Sequence, residues 1–224
     1  MKGAAIVVLA AALVAAAPLA AHPGAAPKRK APRFAATVQG TLRTVWLEET
    51  RLVEDECTID LRVSGSKRID FRSRRPTVVQ LTRAGLRATT LRSVAGEIAG
   101  TTGTRTSSPE PCGNSRHSDD APVTGGFRDA ALALSTPRRG VLQLSRLRLG
   151  VADSATWAPP AFGRAAQPLL ERAPGRVELR KLRNSRLRTI IVAGRYTNVV
   201  RLAGDLTGNL LQEVDWTLTL RRLP

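Results

Sequence analysis

Cys57, Ile59, Leu61, Val63, Ile69 and Phe71 are all odd-numbered, whereas Thr58, Asp60, Arg62, Asp70 and Arg72 are even-numbered and polar. A period of two puts one face of an extended chain in a core and the other in water, so this stretch predicts β structure. Two arrangements preserve the parity: one long strand, or a hairpin turning through Gly65, Ser66 and Lys67. The hairpin is favoured, because it sets Val63 against Ile69 and Leu61 against Phe71 inside. Outside, it sets Arg62 against Asp70 and Asp60 against Arg72, so opposite charges meet. Against it, Gly65 does not stand at the last loop position, where a three-residue turn places its glycine.

Other segments repeat the short period. In VQGTLRTVWL, Val38, Leu42 and Trp46 share a face. PTVVQLTR and RATTLRSVAGEIAG read as further strands, the second interrupted by Gly96. Residues 100–126 are small, polar and broken by proline, which predicts a long loop. FRDAALALS and RGVLQLSRLRL follow, the latter with Leu at both parities, as a bulge or a strand covered on both faces requires. WAPPAFG, residues 157–163, is the clearest linker, and a helical turn in AAQPLLERA is broken by Pro168. LRTIIVA, residues 187–193, is apolar or neutral at both parities and predicts a central strand covered on both faces. Near the C-terminus Val214, Trp216, Leu218 and Leu220 alternate with Asp215, Thr217, Thr219 and Arg221, the signature of one buried face. No segment sustains helical amphipathicity. The expected fold class is therefore all-β: an antiparallel β-sandwich over residues 34–224, in one or two packed units with a sub-boundary near 157–163, preferred to a barrel.

A Trp-bearing first strand (Trp46), a cysteine in the second (Cys57) and a final WTLTLRR (Trp216 to Arg222) together resemble secreted all-β proteins of high-GC bacteria. The resemblance covers about half the chain in short motifs. It implies export and β structure, and carries no activity with it.

Composition adds the compartment. Residues 1–21 have a cationic start at Lys2, an apolar run from Ala4 to Ala17, then Pro18 and small residues, the layout of a secretory signal peptide. Cleavage after Ala21 would leave 224 − 21 = 203 residues. The rival is an uncleaved anchor, since the run to Ala21 is close to the minimum that spans a bilayer. No later apolar stretch approaches that length, so no integral membrane domain is expected after cleavage. Residues 22–33, HPGAAPKRKAPR, read as a flexible basic arm. Export would oxidise thiols, and the two cysteines, Cys57 and Cys112, are then expected to form one disulfide. A loop of this size is worth about 4 kcal/mol in the chain-entropy model, less any strain.

Charge points to a partner. The chain has 35 Lys+Arg against 18 Asp+Glu, a formal +17. All but five of the cations are Arg, which GC-rich codon usage alone would explain. Clusters argue for more than codon usage: Arg72, Arg74 and Arg75 stand close together, as do Arg180, Lys181, Arg183, Arg186 and Arg188. The guanidinium fork suits phosphate and carboxylate, so these eight are the candidate anion-binding residues and an anionic polymer or anionic membrane surface is the expected partner. Three Trp, four Phe and one Tyr are few for stacking on single strands, and no helix-turn-helix or zinc-finger pattern occurs, so sequence-specific nucleic-acid reading is not expected.

Catalytic signals are thin. His117 stands in NSRHSDD beside Ser115, Ser118, Asp119 and Asp120, but neighbours on one loop rarely reach triad geometry, and without EF-hand spacing the same residues predict no metal site. Gly96, Gly100 and Gly103 do not spell a phosphate loop, and no G-x-S-x-G occurs. The sequence thus predicts a secreted or cell-envelope protein without catalytic residues, metal or cofactor, binding anionic polymers. The alternatives are a hydrolase of cell-wall or extracellular polymer with His117 at its mouth, and a structural domain of an exported assembly.

Overall fold

The computed structural model describes residues 31–54, 57–108, 115–148, 162, 170–202 and 206–224. The leader, most of the basic arm, Cys112 and all of 157–163 except Phe162 lie outside them. Among the described residues nine strands form one sheet: β1 (Arg33–Glu54), β2 (Cys57–Ser73), β3 (Thr77–Gln80), β4 (Thr89–Ser108), β5 (Ser115–Arg138), β6 (Val141–Arg148), β7 (Gly175–Arg176), β8 (Thr189–Leu202) and β9 (Leu206–Arg222). A five-residue helix, α1 (Leu179–Arg183), precedes β8.

The all-β expectation holds, but a sandwich is not what forms. The strand order is β7-β6-β5-β4-β2-β1-β9-β8, antiparallel throughout, with β3 prolonging the β2 side of β1. A sandwich needs two sheets packed face to face. Here one sheet coils until β7 approaches β8, a nearly closed barrel. β1 and β9, from opposite ends of the folded chain, pair from Phe34–Arg222 to Thr50–Leu206.

The coiling has a visible cause in one row of inward residues. Across β8, β9, β1, β2, β4 and β5 the successive partners are Gly194, Trp216, Gly40, Phe71, Gly96 and Phe127. The rings of Phe71, Phe127 and Trp216 lie over the bare backbone of Gly40, Gly96 and Gly194 respectively, so large and absent side chains alternate and the sheet can bend without voids. Below this row the interior is apolar and buried, from Phe34, Ala36 and Val38 on β1 to Val192 on β8 and Leu218 and Leu220 on β9. Above it, Asn198, Gln212, Thr44 and Lys67 hold successive inward positions on β8, β9, β1 and β2. Thr44, Lys67 and Gln212 are buried. The Asn198 side-chain amide donates to Gln212 Oε1 at 3.2 Å, while Gln212 Nε2 has no hydrogen-bond partner among the described residues. This polar belt divides the main core from a small cluster of Trp46, Phe162 and Leu210.

Four sequence expectations are corrected. Residues 65–67 do not turn: β2 runs straight through them, because the strand and the hairpin share one parity and only tertiary contact separates them. Gly65 makes room for a ring, since a Cβ there would lie 2.2 Å from Trp46 Cζ2. Lys67 is consequently an interior residue and not a loop residue. Residues 100–108 and 115–126 are not loop but the two arms of a long β4–β5 hairpin, paired from Gly100–Val123 to Ser108–Ser115. Thr102, Thr104 and Thr106 supply the inward β-branched residues that polarity concealed. β8 is covered on one face only, with Ile190 and Val192 buried and Ile191 67% exposed. Arg33, assigned to the arm, already pairs with Gln80 and opens β1. The bulge expected from Leu at both parities does appear, as register shifts between β5 and β6.

Candidate anion-binding surface

Several arginines of the barrel wall are matched to acids by the strand register. Arg51 reaches Asp60 at 2.8 Å, Arg43 reaches Glu213 at 3.0 Å and Arg62 lies 3.7 Å from Glu49, each pair directly opposed across β1. Arg195 and Asp215 face one another in the same way across β8 and β9, at 2.6 Å. Arg68 pairs along its own strand with Asp70, which also accepts from Thr41. The Arg68 hydrogen bond is the main reason the Asp70 carboxyl titrates below its ordinary range, desolvation opposing it and Thr41 assisting. Such exposed pairs add little to stability. Their effect is to neutralise part of the wall.

The end of the barrel below the core is different. Arg180, Lys181 and Arg183 on α1 and Arg186 and Arg188 in the following turn are all exposed, and among the described residues Glu178 is the one acid ion-paired with any of them, through Arg180. Amphipathicity fixes this display: Leu182 is fully buried at the barrel end, so its neighbours on α1 face solvent. Arg222 fastens the backbone underneath. Its guanidinium lies 4.9 Å from the Phe34 ring centroid and donates to the carbonyls of Leu182 at 2.6 Å and Asn184 at 3.0 Å. The Arg183 guanidinium in turn donates to the carbonyl of Arg83 at 3.1 Å, which ties the Arg83 backbone to the cluster. Arg83 and Arg222 were not foreseen. Arg222 was legible in principle: it continues the inward parity of Val214 to Leu220, and an inward arginine at a strand end calls for carbonyl acceptors.

The second sequence cluster does not join the first. Arg72 points outward from β2, and Arg74 and Arg75 form the bend between β2 and β3, where the Arg74 amide donates to the Ser93 carbonyl at 2.8 Å. The length of β3 separates them from the basic end. Arg72 instead lines a furrow of about 1230 Å³ that crosses the outer wall behind the glycine–aromatic row, where Asp70, Glu97, Asp129 and Asp215 outnumber Arg72 and Arg128.

His117 lies in β5, opposite Thr106, and shares its face with Ser115 and Asp119, while Ser118 and Asp120 face the other way. Same-face neighbours on a strand are about 6.7 Å apart, against the ~3 Å of a nucleophile–base hydrogen bond, so the strand spaces these groups beyond triad contact. Among the described residues no three His, Cys, Asp or Glu side chains are grouped to hold a metal ion, and no helix is long and apolar enough to cross a membrane.

The fold and surface define an all-β, barrel-like protein with a dense cluster of exposed cations at one end, of which Arg180 alone is ion-paired among the described residues. No family model, curated protein or solved structure matches the chain.

Proposed function

We propose that this is an exported, non-catalytic protein that holds anionic polymers of the cell envelope or its surroundings against its basic end. The observation that carries the reading is the cluster Arg180, Lys181, Arg183, Arg186 and Arg188: exposed, ion-paired to one carboxylate only among the described residues, and mounted on backbone that Arg222 clamps to the barrel. A fixed backbone lowers the ordering cost of binding, and planar guanidinium groups take phosphate or carboxylate oxygens in pairs. Affinity comes from release of counterions condensed on the polymer.

The test is retention on immobilised polyphosphate as salt is raised, for the wild type and for Arg183→Glu/Arg186→Glu/Arg188→Glu. Each lost phosphate contact lowers the log–log salt slope by about 0.9, so a slope lower by about 3 is expected, with elution at markedly lower salt. Retention insensitive to salt, or equal in the two proteins, rejects the reading.

Export also implies the Cys57–Cys112 disulfide. In its support, Cys57 opens β2, the neighbouring β4 ends at Ser108 four positions before Cys112, and no described cysteine is a free thiol. Thiol titration of the denatured, unreduced protein is expected to find no free thiol. Two would remove both the bridge and the main support for an oxidising compartment.

A further inference from the structure

Far from the basic end, where β1, β2, β4 and β5 run past the core, lies a depression of about 800 Å³ on the outer face. Its two acids are engaged, Asp60 by Arg51 and Glu49 by Arg62. Two further arginines in it, Arg105 and Arg116, have no ion-pair partner among the described residues. Arg105 stands directly opposite Arg62 across the β2–β4 ladder, an arrangement of like charges that costs stability unless something negative lies between them.

The β4–β5 register arranges these groups into a donor set. Arg105 is opposite Ser118 and Ser107 is opposite Arg116, all four on the outer face. The result is a two-by-two block with guanidinium groups on one diagonal and hydroxyls on the other. Opposed residues are about 5 Å apart and same-face neighbours about 6.7 Å apart, so two planar forks and two hydroxyl donors reach a common point above the sheet. Four converging donors with a double positive charge match a tetrahedral oxyanion better than a planar carboxylate, whose two oxygens one fork already satisfies. Asp120, the next outward residue on β5, is drawn over Gly103, where a Cβ would meet its Oδ1 at 2.1 Å. Only a glycine at 103 lets that carboxylate lie there.

We propose that this depression is a binding site for a tetrahedral oxyanion, phosphate or sulfate, held by Arg105, Arg116, Ser107 and Ser118, and separate from the polymer-binding end. The volume exceeds what the ion alone fills, so the ion can be the head of a larger ester, whose body lies along the outward side chains of Arg51, Asp60 and Thr207.

Calorimetric titration of the full chain at fixed ionic strength with inorganic phosphate, inorganic sulfate, glycerol 3-phosphate and acetate tests this. Phosphate and sulfate are expected to bind at one site, at least tenfold tighter than acetate. Glycerol 3-phosphate binding tighter than phosphate assigns the site to a monoester, and equal binding assigns it to the free ion. Arg105→Gln/Arg116→Gln is expected to lose at least tenfold in affinity, with Arg105→Lys/Arg116→Lys between it and the wild type, because charge remains but the fork is lost. The variant with Arg183, Arg186 and Arg188 reversed to Glu is expected to bind phosphate as the wild type does, so failure of the polymer reading leaves this result standing. Acetate binding as tightly as phosphate, or undiminished phosphate binding by the Gln pair, overturns the proposal.

Discussion

Trp216→Ala is expected to destabilise the fold by about 3–5 kcal/mol, the range for truncating a large buried aromatic. Trp216 is fully buried, and its indole N–H donates to the Ala173 carbonyl at 2.7 Å. It stands where β7 approaches β8 without a hydrogen-bonded ladder, so side-chain packing has to close the barrel there. The ring comes so near both strands that a Cβ on Gly175 or Gly194 would lie 2.5 Å from one of its atoms. Removing the ring opens a cavity at the seam and leaves the Ala173 carbonyl unpaired. Trp216→Phe keeps most of the apolar contact and loses the donor, for an expected cost of about 1–3 kcal/mol. Chemical denaturation followed by far-ultraviolet circular dichroism separates the two. An alanine variant within about 1 kcal/mol of wild type would show that the seam closes without the ring, contrary to the usual cost of such a void.

Gly40→Ala is the second large effect, and it acts by crowding. The new methyl would stand 2.5 Å from the Asp215 carbonyl oxygen, 2.6 Å from Phe71 Cζ and 2.9 Å from Trp216 Cβ. A ring can swing, but the carbonyl belongs to the β1–β9 ladder and cannot retreat without breaking the pairing that joins the two ends of the folded chain. The cost should reach the upper part of the ~1–3 kcal/mol typical of overpacked cores, or exceed it. Gly126→Ala provides the contrast. Its nearest contact is the Gly96 carbonyl oxygen at 3.4 Å, so the expected change is within about 1 kcal/mol, with reduced unfolded-chain entropy favouring the alanine. If the two variants unfolded at the same denaturant concentration, the glycine–aromatic row would not be what sets the curvature.

Parity was informative wherever a strand had one wet and one dry face. The inward set on β2 and the alternation of Val214 to Leu220 on β9 appear in the fold as the residues imply, with Trp46 and Trp216 buried. Parity could not choose between a turn at Gly65 and a strand passing through it, because the same residues face inward either way. It also misjudged 100–126: the upper hairpin runs past the main core, so selection for buried apolar side chains is weak there and its strands look like loop. For the surface, the cluster from Arg180 to Arg188 was visible as a run of charge. The block of Arg105, Ser107, Arg116 and Ser118 was not, since its members lie on two strands and become neighbours only through the β4–β5 register.

The amino-acid sequence by itself determined the β character, the inward faces of the clearest strands and the positions of the densest cations, because each depends on residues close together in the chain. Tertiary structure alone decided that one sheet coils on itself, that Lys67 joins a buried polar belt and that separated arginines share a pocket. Those outcomes depend on which strand lies beside which, a choice made by shape matching between glycines and aromatic rings distant in sequence.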